Sequence, residues 1–116
     1  SIINISSVAG KLGLPDLSGY ISSKAGLIGL TKAVATELAP QKVRVNVLCP
    51  AFVETSFAEN FKIKRPDLYR FTIERTPMAR WGNSNEVTPL IAFLLSDLSS
   101  YITGGVYPVD GGWTAC

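Results

Sequence analysis

The spacing of apolar residues changes several times along this chain, and each change predicts an element. Ser1 runs straight into Ile2-Ile3-Asn4-Ile5, a β-branched stretch closed by Ser and Gly, which predicts a strand over 1–6 buried on both faces. A Gly/Pro-rich loop occupies 6–19. From about Ser18 to Ala39 the period becomes helical, with Leu27, Leu30, Val34 and Leu38 in step. Ala25, Gly29 and Ala33 form a second stripe of small residues that would let another backbone approach, and Pro40 ends the helix. "VRVNVLCP" (43–50) alternates and is Val-rich, so it predicts the next strand. Strand, long helix and strand in that order make a βαβ unit, hence parallel strands joined by a right-handed crossover.

Residues 53–81 mix aromatics, charges and Pro66 with weak helical periodicity, and read as a mobile excursion outside the sheet. Over 84–97 a helix is predicted with Ser84 as N-cap and Val87, Leu90, Ile91, Leu94 and Leu95 on one side; Pro89 sits late for a first-turn proline. "GGVYPVDGG" (104–112) reads as a last short strand with a turn. The class is α/β, with too few strands and helices to cover a parallel sheet on both faces. A strand at residue 2 with no preceding Met or loop leads us to expect further sequence upstream.

At 116 residues, 47% apolar and 17% charged, the chain has ample material for a core. Eleven basic and nine acidic residues leave a net charge of +2 with no basic run, which argues against nucleic acid as a partner. Cys49 and Cys116 are far apart and lack CxxC spacing, so we expect neither a disulfide scaffold nor a metal site, and a reducing cytoplasm is the default location. The longest apolar run, "LIAFLL" (90–95), is too short to cross a bilayer, so no membrane partner is expected.

The chain contains no histidine. In "YISSK" (20–24), Tyr20 and Lys24 are four positions apart and fall on one helix face. A tyrosine hydroxyl titrates near about 10 in water, and an adjacent ammonium or a helix N-terminus favours its phenolate form. Ser7 ends the first strand, Cys49-Pro50 end the second, and carboxyl ends of parallel strands form the ligand crevice. A serine hydroxyl there can hold a substrate oxygen while the phenol trades its proton. Each signal has an ordinary reading too: Tyr and Lys recur on solvated helices, a strand-end Ser is usually a cap or turn former, and "DGG" is most simply a turn with positive φ.

Order and spacing together say more. "NISSVAG" (4–10), the Ser–x12–Tyr–x3–Lys spacing from Ser7 to Lys24, "VRVNVLCPAFVETS" (43–56), "RWGNSNEV" (80–87) and "SSYITGGVYPVDGG" (99–112) together resemble the C-terminal half of a short-chain dehydrogenase/reductase. The resemblance implies the C-terminal portion of a Rossmann-like, doubly wound parallel sheet: about three strands with a long central helix, the N-terminal half absent. It implies an NAD(P)-dependent oxidoreductase interconverting an alcohol and a ketone, with Tyr20 as general acid/base. Lys24 would lower the tyrosine pKa and bond the nicotinamide ribose, and Ser7 would orient and polarise the substrate oxygen. The loop from Pro50 would hold the nicotinamide of NAD or NADP, with Val53 through its backbone and Thr55 near the carboxamide and phosphates. Residues 57–80 match the family's variable substrate lid. The long helix and last strand would make dimer or tetramer contacts in a homo-oligomer.

There are two departures. Pro50-Ala51 stands where the family usually has Pro-Gly, which costs something if that position needs positive φ or close approach to the cofactor. No GxxxGxG phosphate loop occurs in these residues, so the 116 residues by themselves are expected not to turn over. Two rivals stand beside the enzyme: a truncated, non-catalytic relative that docks onto full-length subunits through the long helix, and one half of a protein encoded as two chains. The lid aromatics Phe57, Phe61, Tyr69, Phe71 and Trp81 suggest a partly apolar pocket without identifying the substrate.

Overall fold

The computed structural model describes residues 1–115, apart from the side chain of Phe57. The β-branched run forms strand β1 (Ile2–Ile5), and the Val-rich run forms β2 (Val45–Pro50). Between them lies α1 (Ser18–Leu38), so β1 and β2 are parallel, with Ile2 opposite Val45 and Ile5 opposite Leu48. The last strand, β5 (Val106–Val109), pairs with the other side of β2, also parallel, giving the order β1-β2-β5. The βαβ expectation holds.

Central position explains burial. β2 is flanked on both sides, and Val47, Leu48 and Cys49 have no exposed surface. β1 pairs with β2 alone among the described residues and leaves Ile2 43% and Ile5 44% exposed. The expectation that the first strand is buried on both faces is therefore not met by β1; β2 is the buried strand. The buried Asn46 is satisfied on both sides of its amide: Nδ2 donates to Ile102 O (3.0 Å), and Oδ1 accepts from Gly105 N (2.9 Å), fixing the entry to β5.

Helix α1 packs on β2 and on the 3-10 turn Val8–Lys11 that follows β1. Its fully buried seam runs through Thr31 and Ala35, whereas Leu30 is 55% exposed. The stripe of Leu27, Leu30, Val34 and Leu38 is thus only partly inward. Small residues on the inner face let the helix sit close to the sheet, and Asn4 Nδ2 donates to Thr31 Oγ1 at 2.9 Å across that contact. Ala25, Gly29 and Ala33 lie on the exposed side.

Beyond β2 the chain leaves the main sheet. The stretch read as an excursion holds two helices, α2 (Ser56–Lys64) and α3 (Pro66–Arg75), bracketed by two short strands, β3 (Val53–Glu54) and β4 (Gly82–Asn83), which pair in parallel. Helix α4 (Ser84–Leu95) packs against β1 and β2. Its cap is Asn83 rather than Ser84, because Glu86, three residues on, accepts the Asn83 N–H at 2.8 Å. Pro89 lies inside it. Its last carbonyls are satisfied by Arg44, which donates to Leu94 O (2.8 Å) and, just past the helix, to Ser96 O (3.0 Å) and Ser99 Oγ (2.8 Å). Cys49 is a buried free thiol, and Cys116 lies outside the described residues. Among the described residues no helix is long and apolar enough to cross a membrane.

Candidate active site

The carboxyl end of β1 and the first turns of α1 are bound to one another. Ser6, buried, donates its Oγ proton to Lys24 O at 2.8 Å, and Lys24 Nζ donates to Ile5 O at 3.0 Å. One lysine is therefore held by backbone and by ammonium to the same strand end. Gly10 makes this closeness feasible: a Cβ there would stand 2.9 Å from the Lys24 carbonyl carbon. Tyr20 occupies the first turn of α1, one turn before Lys24, with its ring centre 5.7 Å from the ammonium and its side 47% exposed. Tyr20, Lys24, Thr31 and Ala35 follow one helix face, so the face that packs on the sheet also delivers the phenol and the amine to the strand ends.

Ser7 plays the ordinary role of a strand-end serine. Its backbone is extended, and its Oγ accepts the Ala9 N–H at 3.1 Å, capping the turn that follows β1. A hydroxyl that accepts in this way still has its own proton to donate. Ser7, Tyr20 and Lys24 all line one cleft of about 760 Å³, a size usual for small-molecule sites. Pro50, the last residue of β2, and Val53, the first of β3, line it too. Thr55 does not; it is exposed, at the N-cap of α2.

Ala51 also lines the cleft, and its φ is not positive. The backbone there suits alanine as well as glycine, which removes one of the two grounds on which this departure would be costly. The "DGG" turn does need glycine: Gly111 and Gly112 have φ of 60° and 91°.

The cleft walls are mostly apolar and come from segments far apart in sequence. Phe52 stacks on the buried Trp81 (5.2 Å, 24°) and meets Trp113 edge-on (5.1 Å, 67°). Trp81 Nε1 donates to Thr72 Oγ1 at 2.8 Å, tying the residue before β4 to α3. Of the aromatics expected to face a pocket, Phe61 and Trp81 line the cleft and Tyr69 packs on Trp81 (4.9 Å), whereas Phe71 is 51% exposed; the Phe57 side chain lies outside the described part. Phe52, Trp113 and Gly10 were not singled out from sequence. For Gly10 the signal was its place in the Gly/Pro-rich loop between the first strand and the long helix.

Charged groups pair nearby in the chain, outside the cleft lining. Lys62 of α2 donates to Glu54 at 2.8 Å, which raises its pKa. Two hydrogen bonds from Arg80 and one from the Asn83 N–H hold the Glu86 carboxyl down to about 2. Burial pushes the Cys49 thiol up, keeping it neutral behind Ser6.

A parallel βαβ unit that brings serine, tyrosine and lysine to one crevice is the architecture of a Rossmann-like oxidoreductase. The family model that matches residues 1–114 is described as enoyl-(acyl carrier protein) reductase. The chain belongs to the short-chain dehydrogenase/reductase family.

Among its curated relatives, a 3-oxoacyl-[acyl-carrier-protein] reductase of Thermotoga maritima is 48% identical over 97% of this chain and 44% of its own length. A cyclohexanol dehydrogenase of an Acinetobacter strain is 37% identical over 99% of this chain and 43% of its own. Among solved structures, 4-hydroxyisoleucine dehydrogenase complexed with NADH superposes with a TM-score of 0.92 at 36% identity, covering 99% of this chain and 47% of that one. Gluconate 5-dehydrogenase from Burkholderia cenocepacia, in complex with NADP and tartrate, gives 0.92 at 31%, covering 99% and 45%. The chain thus spans a little under half the length of the relatives it matches.

Proposed function

We propose that this chain is the catalytic portion of an NAD(P)-dependent oxidoreductase interconverting an alcohol and a ketone. The observation that carries the reading is that Ser7, Tyr20 and Lys24 line a single cleft, with Pro50 and Val53 on its loop side. Tyr20 hands a proton to the carbonyl oxygen in reduction and takes it back in oxidation. Ser7 holds that oxygen through the hydroxyl proton its cap leaves free. The ammonium of Lys24 stabilises negative charge arising on the phenol oxygen. It spends one donor on Ile5 O, which leaves two for the hydroxyls of a ribose.

The residues present fit the nicotinamide half of the cofactor: an apolar-walled cleft, Val53 at its edge, and a lysine with donors to spare. When bound, the nicotinamide supplies or accepts the hydride. No glycine-rich phosphate loop occurs among the 116 residues, so we expect them to bind and turn over only together with such a loop. The apolar walls and the 48%-identical relative make a 3-oxoacyl thioester the first substrate to assay and cyclohexanol the second. Assembly as a homo-oligomer through the exposed small-residue side of α1 completes the reading.

The test is Tyr20→Phe in the active protein. Removing one hydroxyl should cut turnover by about 10²–10⁴-fold, the usual worth of general acid–base catalysis, while cofactor binding measured by nicotinamide fluorescence is largely kept. Turnover within threefold of the parent would take Tyr20 out of the mechanism.

A further inference from the structure

The Arg80–Val87 block contributes nothing to proton transfer, yet it is densely bonded. Arg80 meets Glu86 with both ends of its guanidinium, Nη2 to Oε1 at 2.6 Å and Nη1 to Oε2 at 2.8 Å. The same Oε2 accepts the Asn83 N–H at 2.8 Å, and the same Nη1 donates to Trp81 O at 3.1 Å. One ion pair therefore grips the backbone of β4 on both sides, at Trp81 and at Asn83, and anchors it to the first turn of α4.

What β4 holds is the cleft wall. Gly82 N donates to Phe52 O at 3.0 Å, and Val53 and Glu54 pair with Gly82 and Asn83. Phe52 and Val53 line the cleft, and Trp81 stacks on Phe52. The chain also enters Arg80 by a constrained path. Ala79 has a φ of 53°, a conformation that disfavours any side chain, and Met78 N is fixed to Gly111 O at 3.1 Å. Backbone strain immediately before a bidentate pair means that surrounding bonds determine where the arginine stands.

We infer that Arg80 and Glu86 are positioning residues that set the stance of the Phe52–Val53 wall, acting through β4 on β3. The pair is too exposed, at 50% and 44%, to act chiefly as a stability element; ion pairs in such settings contribute little to folding. Its effect is geometric, and it falls on whatever lies against Phe52 and Val53. Under the proposed function, that is the nicotinamide.

Three variants of the active protein test this: Arg80→Gln, Glu86→Gln, and the exchange Arg80→Glu with Glu86→Arg. The exchange restores opposite charges, but it reverses donor and acceptor, so neither the Trp81 carbonyl nor the Asn83 N–H is regained. Two readouts are taken: amide hydrogen exchange at Gly82 and Asn83, and KM for the cofactor against kcat. All three variants should exchange faster at those amides. They should also raise the cofactor KM by about tenfold, with kcat changed much less, as expected when a binding wall shifts by a fraction of an ångström.

Unchanged amide exchange overturns the brace, whatever the activity. Faster exchange with an unchanged KM overturns its hold on the cleft wall. Full recovery of both in the charge exchange would mean that simple ion pairing suffices, which also overturns it. If the parent protein binds no nicotinamide cofactor, the functional reading fails instead, and the brace stands or falls on the amide exchange alone.

Discussion

Replacing Gly10 with alanine would place a methyl 2.9 Å from the Lys24 carbonyl carbon, 3.0 Å from its oxygen and 3.0 Å from Ser6 Oγ. Two of the three atoms are helix backbone, so no side-chain rotation relieves the contact. Either α1 retreats by several tenths of an ångström, or Ser6 gives up its 2.8 Å bond to Lys24 O. The Asn4–Thr31 bond, 2.9 Å long and further along the same helix, resists the retreat. Overpacking of this kind costs about 1–3 kcal/mol, and a buried Ser6 hydroxyl left unpaired costs a similar amount.

Gly13 is the matched control, because nothing lies within 4 Å of a Cβ built there. Gly13→Ala should be neutral or stabilise by about 0.4–1 kcal/mol through the unfolded chain. The assay is urea unfolding of both variants beside the parent, with kcat/KM measured in parallel. Gly10→Ala should lower the midpoint and, by moving Lys24, reduce kcat/KM by up to about tenfold. Equal midpoints for the two alanine variants would refute the claim that close backbone approach at Gly10 sets the position of the lysine.

Two further outcomes follow from the same geometry. Lys24→Ala removes the bond to Ile5 O and the donors offered to a ribose, so cofactor affinity should fall by about tenfold or more along with the rate; unchanged affinity by fluorescence titration would contradict the ribose contact. Burial raises the pKa of Asp110, but bonds from Thr114 Oγ1 (2.6 Å) and from the N–H groups of Gly112 and Thr114 (both 3.0 Å) outweigh it and hold the carboxyl below its usual value. A depressed folded-state pKa stabilises above the unfolded value near about 3.9 and loses that stabilisation as pH falls through the folded value. Asp110→Asn should therefore lower the urea midpoint at pH 7 and flatten its decline below pH 4, and parallel curves for variant and parent would refute this.

What could be read from the sequence was whatever depends on local period and spacing. The switch from β-branched runs to helical spacing and back fixed the βαβ unit, and the Ser7–Tyr20–Lys24 spacing placed three groups that line one cleft. What could not be read depends on neighbours remote in sequence. β1 and β2 are both apolar runs on paper; only the order β1-β2-β5 among the described residues puts β2 at the centre.

Helical spacing alone also did not show which residues of α1 are innermost: Thr31 and Ala35 are buried against the sheet, while Leu30 is exposed. Asn83 and Ser84 are both good caps, and the glutamate three residues after Asn83 decides between them. The cleft wall is the least local feature of all. Phe52, Trp81 and Trp113 come from three separate segments, and they meet where β4 pairs with β3 through backbone bonds. The groups proposed to carry the proton are thus fixed by one helix and one strand end, while the surface the ligand would lie against is fixed by contacts between segments. Changes confined to that second set should alter what binds before they alter how the proton moves.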